Sequence, residues 1–386
     1  MLRLVAANRD PRLLPNAVKG FTKADAKCFI VPPLQELQGK RVVVSTCTSA
    51  SYIRSSFEKR STKGWFTHVI VDEAAQAMEA EVLVPLTLCV TGGRLFLAGD
   101  FKQLGPVIRS PVALKFGLGV SLMERIVQCI GIDHSRVFAL LKTYRAHPSI
   151  LSLYNKTVYA GVLQCCSPPS SYDMEGWQEC PRGPRGKAHP IIFHHCKGQE
   201  SRSKESPSWQ NEDEVGIVKQ YLCKLVAYGV EPEDIGIISP YHKQCQRLRY
   251  ACLGENLDVE VGTTELFQGR EKRVIIISTV RSREQGEVKN DIRFTLGFLG
   301  NYKRTNVAIS RARSLLIVVG NLSLLSSDAT WHHVIKSSKD MRCLRGQPFQ
   351  LKEAMYGENS EWGQQPSGPS QAGGDGAVDV PWRDYT

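Results

Sequence analysis

Short runs of branched and large apolar residues recur along the first third of the chain. Arg41–Thr46 (RVVVST), Thr67–Val71 (THVIV) and Arg94–Ala98 (RLFLA) are each too short for a stable helix and rich in strand-forming side chains. Their near-continuous apolar character is that of strands buried on both faces of a parallel sheet. Between the last two, Ala77–Leu88 is predicted to be a helix. Residues 1–40 hold Pro11, Pro15, Pro32 and Pro33 and show no clear period.

A second series follows. Strands are expected at Val137–Leu140, Ile191–His194, Ile235–Ile238, Val259–Gly262, Val274–Thr279 and Leu315–Val319. Helices are expected at Asn211–Val226, His242–Leu253 and Thr305–Ala312. Strands alternating with helices predict an α/β protein with parallel sheets, and a chain of 386 residues has room for two such domains. Cys165–Lys187 carries several Pro, Ser and Gly residues and is predicted to be a surface loop. From Gly346 onward the chain is rich in Gly, Ser, Gln and Pro, which predicts a disordered tail. Trp362 and Trp382 within that tail are candidate anchors for a partner, against the plainer expectation of an uninvolved segment.

Charge narrows the range of functions. Lys and Arg number 49 and Asp and Glu 38, a formal net charge of +11. The tail after residue 345 holds six acidic and two basic residues, so residues 1–345 carry +15. Such a surface suits polyanionic partners. There is no long apolar run to predict a membrane span and no secretory signal at Met1. The twelve cysteines include no Cys-x-x-Cys pair, so reduced thiols in an intracellular protein are expected. Cys180, His194, His195 and Cys196 form a weak zinc candidate whose spacing fits no ordinary ligand pattern.

Five motifs carry candidate chemistry. Asp72-Glu73-Ala74-Ala75 follows the strand THVIV, where open α/β sheets bind ligands. In nucleoside triphosphatases such a pair holds Mg²⁺ and activates water, although acidic residues also favour helix N-termini. Gly99-Asp100-Phe101-Lys102-Gln103-Leu104-Gly105-Pro106-Val107 follows the strand RLFLA. A Gln in that loop could donate to a phosphate and accept from water. Tyr144-Arg145-x-His147-Pro148, Phe267-Gln268-Gly269-Arg270-Glu271 and Asn306–Arg313 (NVAISRAR) complete the set. Arginines reaching a phosphate across a domain cleft would stabilise charge in phosphoryl transfer.

The ordered series DEAA, GDFKQLGPV, YRAHPS, ISPYHKQ, TTELFQGRE and NVAISRAR resembles the motifs of superfamily-one helicases. GDFKQLGPVIRSP, KFGLGVSLMERI and NLSLL are most similar to the Armitage-like branch, which includes the Moloney leukaemia virus resistance helicase and is related to the up-frameshift helicases. The resemblance covers roughly residues 1–345. It implies two RecA-like domains, a partial first at 1–133 and a second at 134–345, then an acidic tail at 346–386. It implies an ATP-dependent RNA helicase moving 5′ to 3′ on single-stranded RNA, acting with RNA-silencing or mRNA-decay proteins in the cytoplasm and its ribonucleoprotein granules, including P-bodies, with a nuclear pool. Residue by residue, it implies that Asp72 holds Mg²⁺, Glu73 is the general base, and Gln103, Arg145 and Arg311 meet the γ-phosphate. Gly269 and Glu271 would meet the nucleotide. Thr46, Pro240, Tyr241 and Thr263 would contact the nucleic-acid backbone. A strand end for Thr46 and a helix entry for Tyr241 are the plain alternatives.

One family element is missing from these 386 residues. The phosphate loop, Gly-x-x-x-x-Gly-Lys-Ser/Thr, occurs nowhere in them. The chain is therefore expected to begin inside the first motor domain, whose remaining strands would lack a neighbour and be marginal or aggregation-prone alone. A non-hydrolysing RNA-binding fragment is the alternative, and a DNA helicase is a third.

Overall fold

The computed structural model describes residues 1–6, 9, 10, 12, 14–24, 28–57, 64–169, 172–202, 208–282 and 301–351. The chain divides into two compact units, Met1–Phe138 and Ala139–Thr386. The first unit holds strands β1 (Leu2–Arg3), β2 (Val43–Val44), β3 (Phe66–Val71) and β4 (Cys89–Leu97). The second holds β5 (Lys142–Thr143), β6 (Gln164–Cys165), β7 (Ile191–His195), β8 (Glu200–Arg202), β9 (Trp209–Asn211), β10 (Ile235–Ile238), β11 (Glu260–Gly262), β12 (Lys272–Ser278), β13 (Ala312–Gly320) and β14 (Leu344–Gly346).

The second unit is built on a six-stranded sheet of order β11-β10-β12-β13-β7-β14, and every pairing in it is parallel. Successive side chains of a strand point to opposite faces, and here both faces are covered. Ile275, Ile277, Leu316, Val318 and Phe193 join one core with helices Pro148–Val158 and Ala329–Asp340. Val274, Ile276, Leu315, Ile317 and Ile192 join another with helices Glu212–Ala227 and His242–Gly254. This double burial explains why these strands are unbroken apolar runs in the sequence.

Backbone fit limits the sheet at Gly236 in β10. A Cβ there would lie 2.6 Å from Phe267 Cε1 and 2.9 Å from Ile275 Cδ1. Gly236→Ala is expected to cost about 1 kcal/mol through overpacking, read as a lower urea midpoint. An unshifted midpoint would mean that those side chains yield freely.

The first unit is less enclosed. β1 pairs with β2 and β3 with β4, each in parallel, as separate two-stranded sheets. One face of β3–β4 packs Val69 and Val71 with Ala74, Val82 and Leu122. The other presents Ile70, 71% exposed, and Phe96, stacked on His68. The two-sided burial expected for THVIV therefore does not occur: among the described residues no element covers that face.

Three other expectations are corrected. No strand forms at Val137–Leu140, where Phe138 and Leu140 are exposed. Pairing begins instead at Lys142–Thr143, because β6 supplies the partner there. The stretch Cys165–Lys187 is not a surface loop throughout, since Met174, Trp177 and Cys180 are buried against the second core. Residues just after 345 are ordered: Gly346 ends β14, and Phe349 and Leu351 pack on the first core. The rest of the expected tail, with Trp362 and Trp382, lies outside the described residues.

The zinc candidate does not assemble. Among the described residues no group of three or more His, Cys, Asp or Glu side chains is placed to hold a metal ion. His194 Nδ1 pairs with the Tyr221 hydroxyl at 2.8 Å, and His195 Nδ1 accepts from Leu322 N–H at 3.0 Å. Among the same residues no helix is long and apolar enough to cross a membrane.

Candidate nucleotide and nucleic-acid sites

In the first unit the acidic pair sits where the sequence puts it, directly after β3. Ala74 and Ala75 are buried and anchor the turn, while Asp72 and Glu73 are exposed. Glu73 has a φ of 51°, an unusual value for a residue with a side chain. Asp72 Oδ1 holds this turn by accepting from Glu73 N–H at 3.0 Å. Backbone bonds from Ala98 N–H to Val71 O at 2.9 Å and from Ala74 N–H to Ala98 O at 2.8 Å tie the turn to the end of β4.

The loop after β4 therefore lies beside the acidic pair. Gly99 makes this approach feasible: a Cβ there would sit 3.0 Å from Ala74 N and 3.1 Å from Ala75 N. Asp100 organises the loop, accepting from Lys102 N–H and from Gln103 Nε2, both at 2.9 Å. Gln103 thus stands on the same edge of the sheet as Asp72 and Glu73. Thr46 Oγ1 accepts from Ser49 N–H at 3.1 Å at the entry to helix Ala50–Phe57. A cavity of about 530 Å³ between β2 and β3 is lined by both Thr46 and Asp72.

In the second unit three motifs distant in sequence are joined at the amino ends of β12 and β13. His147 N–H donates to Arg313 O at 2.8 Å, and Lys272 N–H to Arg311 O at 3.1 Å. The Glu271 carboxylate pairs with Arg145 and lies 3.9 Å from Arg313 Nε. Gly269 turns the chain before it, with a φ of 71°. Arg145 and Arg311 both lie near Tyr154, whose phenol burial pushes up to about 12 against their pull.

Arg145 and Arg311 are nevertheless unlike. Arg145 is partly exposed. Arg311 is 2% exposed and its guanidinium is engaged within the fold. It donates to Val307 O at 3.0 Å, to Arg270 O at 3.3 Å and to Ser310 Oγ at 2.9 Å. In this arrangement Arg311 braces the Gly269–Glu271 turn, while Arg145 and Arg313 present charge at the surface.

A different set gathers at the carboxyl ends of β10, β11 and β12. Ile238 is in register with both Gly262 and Ile277. Pro240–Tyr241, Thr263 and the segment Thr279–Ser282 consequently form a row, with Ser239 N–H donating to Gly262 O at 3.1 Å. Pro240, Tyr241 and Thr263 are half-buried. Arg281, which the motifs did not single out, is buried beside them, its Nε donating to Glu200 Oε2 at 2.9 Å. Its only sequence signal was a cation directly after an apolar strand, in STVRS.

The two sets lie at opposite ends of β12, which at seven residues spans roughly 20 Å. One end offers arginines around a carboxylate, and the other offers hydroxyls and loop backbone.

The chain matches the AAA domain family over residues 118–323 and a second AAA domain family over residues 27–111. The protein mov-10-B.1 of Danio rerio is 37% identical over 355 residues, covering 85% of this chain and 34% of its own length. The RNA helicase Mov10l1 of Mus musculus is 39% identical over 357 residues, covering 88% and 29%. The protein armi of Drosophila melanogaster is 34% identical over 322 residues, covering 76% and 26%. The chain thus spans about a third or less of the length of these relatives. With an AAA-domain match across more than half of its residues, and relatives of this kind along most of them, the chain belongs to the Armitage-like branch of the superfamily-one helicases.

Proposed function

We propose that this chain carries the motor motifs of an ATP-dependent RNA helicase, which couples hydrolysis of ATP to 5′-to-3′ movement on single-stranded RNA. The observation that carries the reading is the separation in the second unit: an arginine–carboxylate cluster at one end of β12 and a row of Tyr241, Thr263 and loop backbone at the other. Buried parallel strands join the two ends, so a change at one end is transmitted through close-packed material rather than a flexible link.

Asp72 has one carboxylate oxygen on the Glu73 amide, leaving the other as a hard donor suited to Mg²⁺. Bound Mg²⁺ would neutralise developing charge on the ATP phosphates. Glu73 would take the proton from the attacking water, and Gln103 would orient that water. Arg145 and Arg313 would face the γ-phosphate, with Arg311 bracing the turn that presents Gly269 and Glu271. Thr46, Pro240, Tyr241 and Thr263 would grip phosphates, which positions a strand without reading its sequence. The setting is RNA silencing or mRNA turnover in cytoplasmic granules such as P-bodies, with a nuclear pool and with silencing or decay proteins as partners.

A second reading has one specific observation in its favour. No Gly-x-x-x-x-Gly-Lys-Ser/Thr occurs in these 386 residues, which favours RNA binding without hydrolysis. Titration of fluorescein-labelled oligouridylate into this chain separates the two. Affinity is expected to fall steeply as salt rises, as counterion release dictates, and to change when ATP and Mg²⁺ are added. Binding indifferent to ATP would support the second reading, and preference for a matched DNA strand would remove RNA as the substrate.

A further inference from the structure

The antiparallel pair β8–β9 is tied to the segments that follow both β10 and β12, although no motif of the sequence includes it. Asn211 N–H donates to Gln244 Oε1 at 2.9 Å, and Gln244 Nε2 donates back to Asn211 O at 3.1 Å. Ser208 Oγ, one residue before β9, accepts from Lys243 N–H at 3.0 Å. Lys243 and Gln244 lie in the first turn of helix His242–Gly254, directly after Pro240–Tyr241. On the other strand, Glu200 Oε2 accepts from Ser282 N–H at 2.8 Å and from Arg281 Nε at 2.9 Å. The pair β8–β9 therefore stands beside two members of the row at the carboxyl ends of the sheet.

Its two ends differ in what they do with charge. At the Glu200–Asn211 end the charges are buried and cancel, since Arg281 and Glu200 pair with side chains 2% and 3% exposed. At the other end Arg202 is exposed and lies directly across the ladder from Trp209. Its guanidinium sits over the Trp209 ring, 5.1 Å from the centroid. The buried Arg281 lies over the same ring at 4.7 Å, so the platform under Arg202 is itself packed in place. The acid on Arg202's own strand, Glu200, is engaged by Arg281 and Ser282.

Stacking occupies the face of a guanidinium and leaves its edge of N–H donors directed elsewhere. A cation held on a ring has less side-chain freedom to lose when it binds. That planar fork of donors matches a phosphate group. The adjoining first turn of helix His242–Gly254 favours the same negative charge through the helix dipole. Resting on the RNA-binding reading given above, we propose that β8–β9 is a further part of the nucleic-acid grip, in which Arg202 contacts a backbone phosphate and Trp209 holds its guanidinium in position. Such a contact positions the strand and reads no bases.

The test is binding of fluorescein-labelled oligouridylate and oligoadenylate to this chain across a salt series. Arg202→Ala should weaken binding of both about fivefold, the worth of one hydrogen bond. It should also lower the slope of log affinity against log salt by about 1, the loss of one phosphate contact. Arg202→Lys keeps the charge and should restore the slope. A lysine variant with the slope of the alanine variant would show a structural effect and overturn the proposal. Lys336→Ala is the control, an exposed cation on helix Ala329–Asp340 across the sheet. It should change neither affinity nor slope, and an equal drop there would reduce the Arg202 effect to overall charge and sink the proposal. A loss confined to one oligonucleotide would mean base readout and remove the phosphate assignment. Binding unchanged in Arg202→Ala removes this proposal alone, whereas a wild-type chain that binds no RNA removes the functional reading with it.

Discussion

On the function proposed above, Glu73→Gln is expected to lower RNA-stimulated ATP hydrolysis at least about 100-fold in the longest natural product carrying these residues, while RNA binding persists. The expectation follows from the turn after β3. Ala74 and Ala75 are buried, and Asp72 accepts from the Glu73 amide, so the backbone position of residue 73 does not depend on its own carboxylate. Gln matches Glu in size and keeps the turn, but it cannot take a proton. Loss of a positioned general base typically costs a factor of about 10² to 10⁴. Steady-state hydrolysis with and without oligouridylate measures it. Turnover left at the wild-type rate would assign the base elsewhere.

Glu214→Gln removes the alkaline decline in stability of the second unit. Glu214 is fully buried at the start of helix Glu212–Ala227, accepting from Ser278 Oγ at 2.6 Å and from Val280 N–H. Burial pushes its carboxyl up to about 8, against the pull of these hydrogen bonds and with a further push from Glu200. The native state thus holds the proton more tightly than the unfolded chain. The sign is fixed by linkage: the contribution is full below the usual carboxylate range near 4.5, falls as pH rises toward 8, and is flat beyond.

Between pH 6.5 and 8.5 the wild-type protein should lose roughly 2 kcal/mol, the equivalent of about 1.5 pH units. In the native state the other shifted groups have their midpoints outside this interval and contribute less within it. Burial lowers His147, His194 and His195, which remain neutral there. Burial raises Asp328 only to about 6, and it raises Cys180 and Cys343 to about 12. Gln supplies the neutral form permanently, so urea midpoints of the variant should be nearly level over the same range. A parallel decline in both proteins would place the titrating group elsewhere.

The legible parts of the fold were those where burial is two-sided. Ile235–Ile238 forms a strand with the expected bounds, and VIIIS and LLIVV lie within strands, because a parallel strand covered on both faces must be apolar at every position. VFALL, residues 137–141, is equally apolar and is not a strand; a run becomes one only if a neighbour offers hydrogen bonds, and pairing starts only after it, at Lys142. Cys165–Lys187 has the composition of a loop and follows an irregular path, yet Trp177 and Met174 fill the second core. Composition reports backbone irregularity well and burial poorly.

The candidate sites divide in the same way. The motif order placed the acidic pair, the Gln103 loop and the segments of Arg270 and Arg311, because each follows or precedes a strand that is itself readable, whereas the segment of Arg145 follows β5, which was not. Which arginine faces outward was not readable. Arg311 and Arg313 stand two apart in SRAR, but the first is at a helix end with backbone carbonyls within reach and the second is on the exposed side of a strand. Arg281 was missed altogether, since its partners Glu200 and Trp209 come from two other segments.

The amino-acid sequence by itself determined the class of this protein: the alternation of buried strands and helices, and the order of the short polar motifs at their ends. Those are local properties, set by side-chain size, polarity and spacing along the chain. Tertiary structure alone decided which charges are spent inside the fold and which are offered outside. A side chain's burial and partners depend on segments tens to more than a hundred residues away, and only the folded chain brings those within hydrogen-bonding distance.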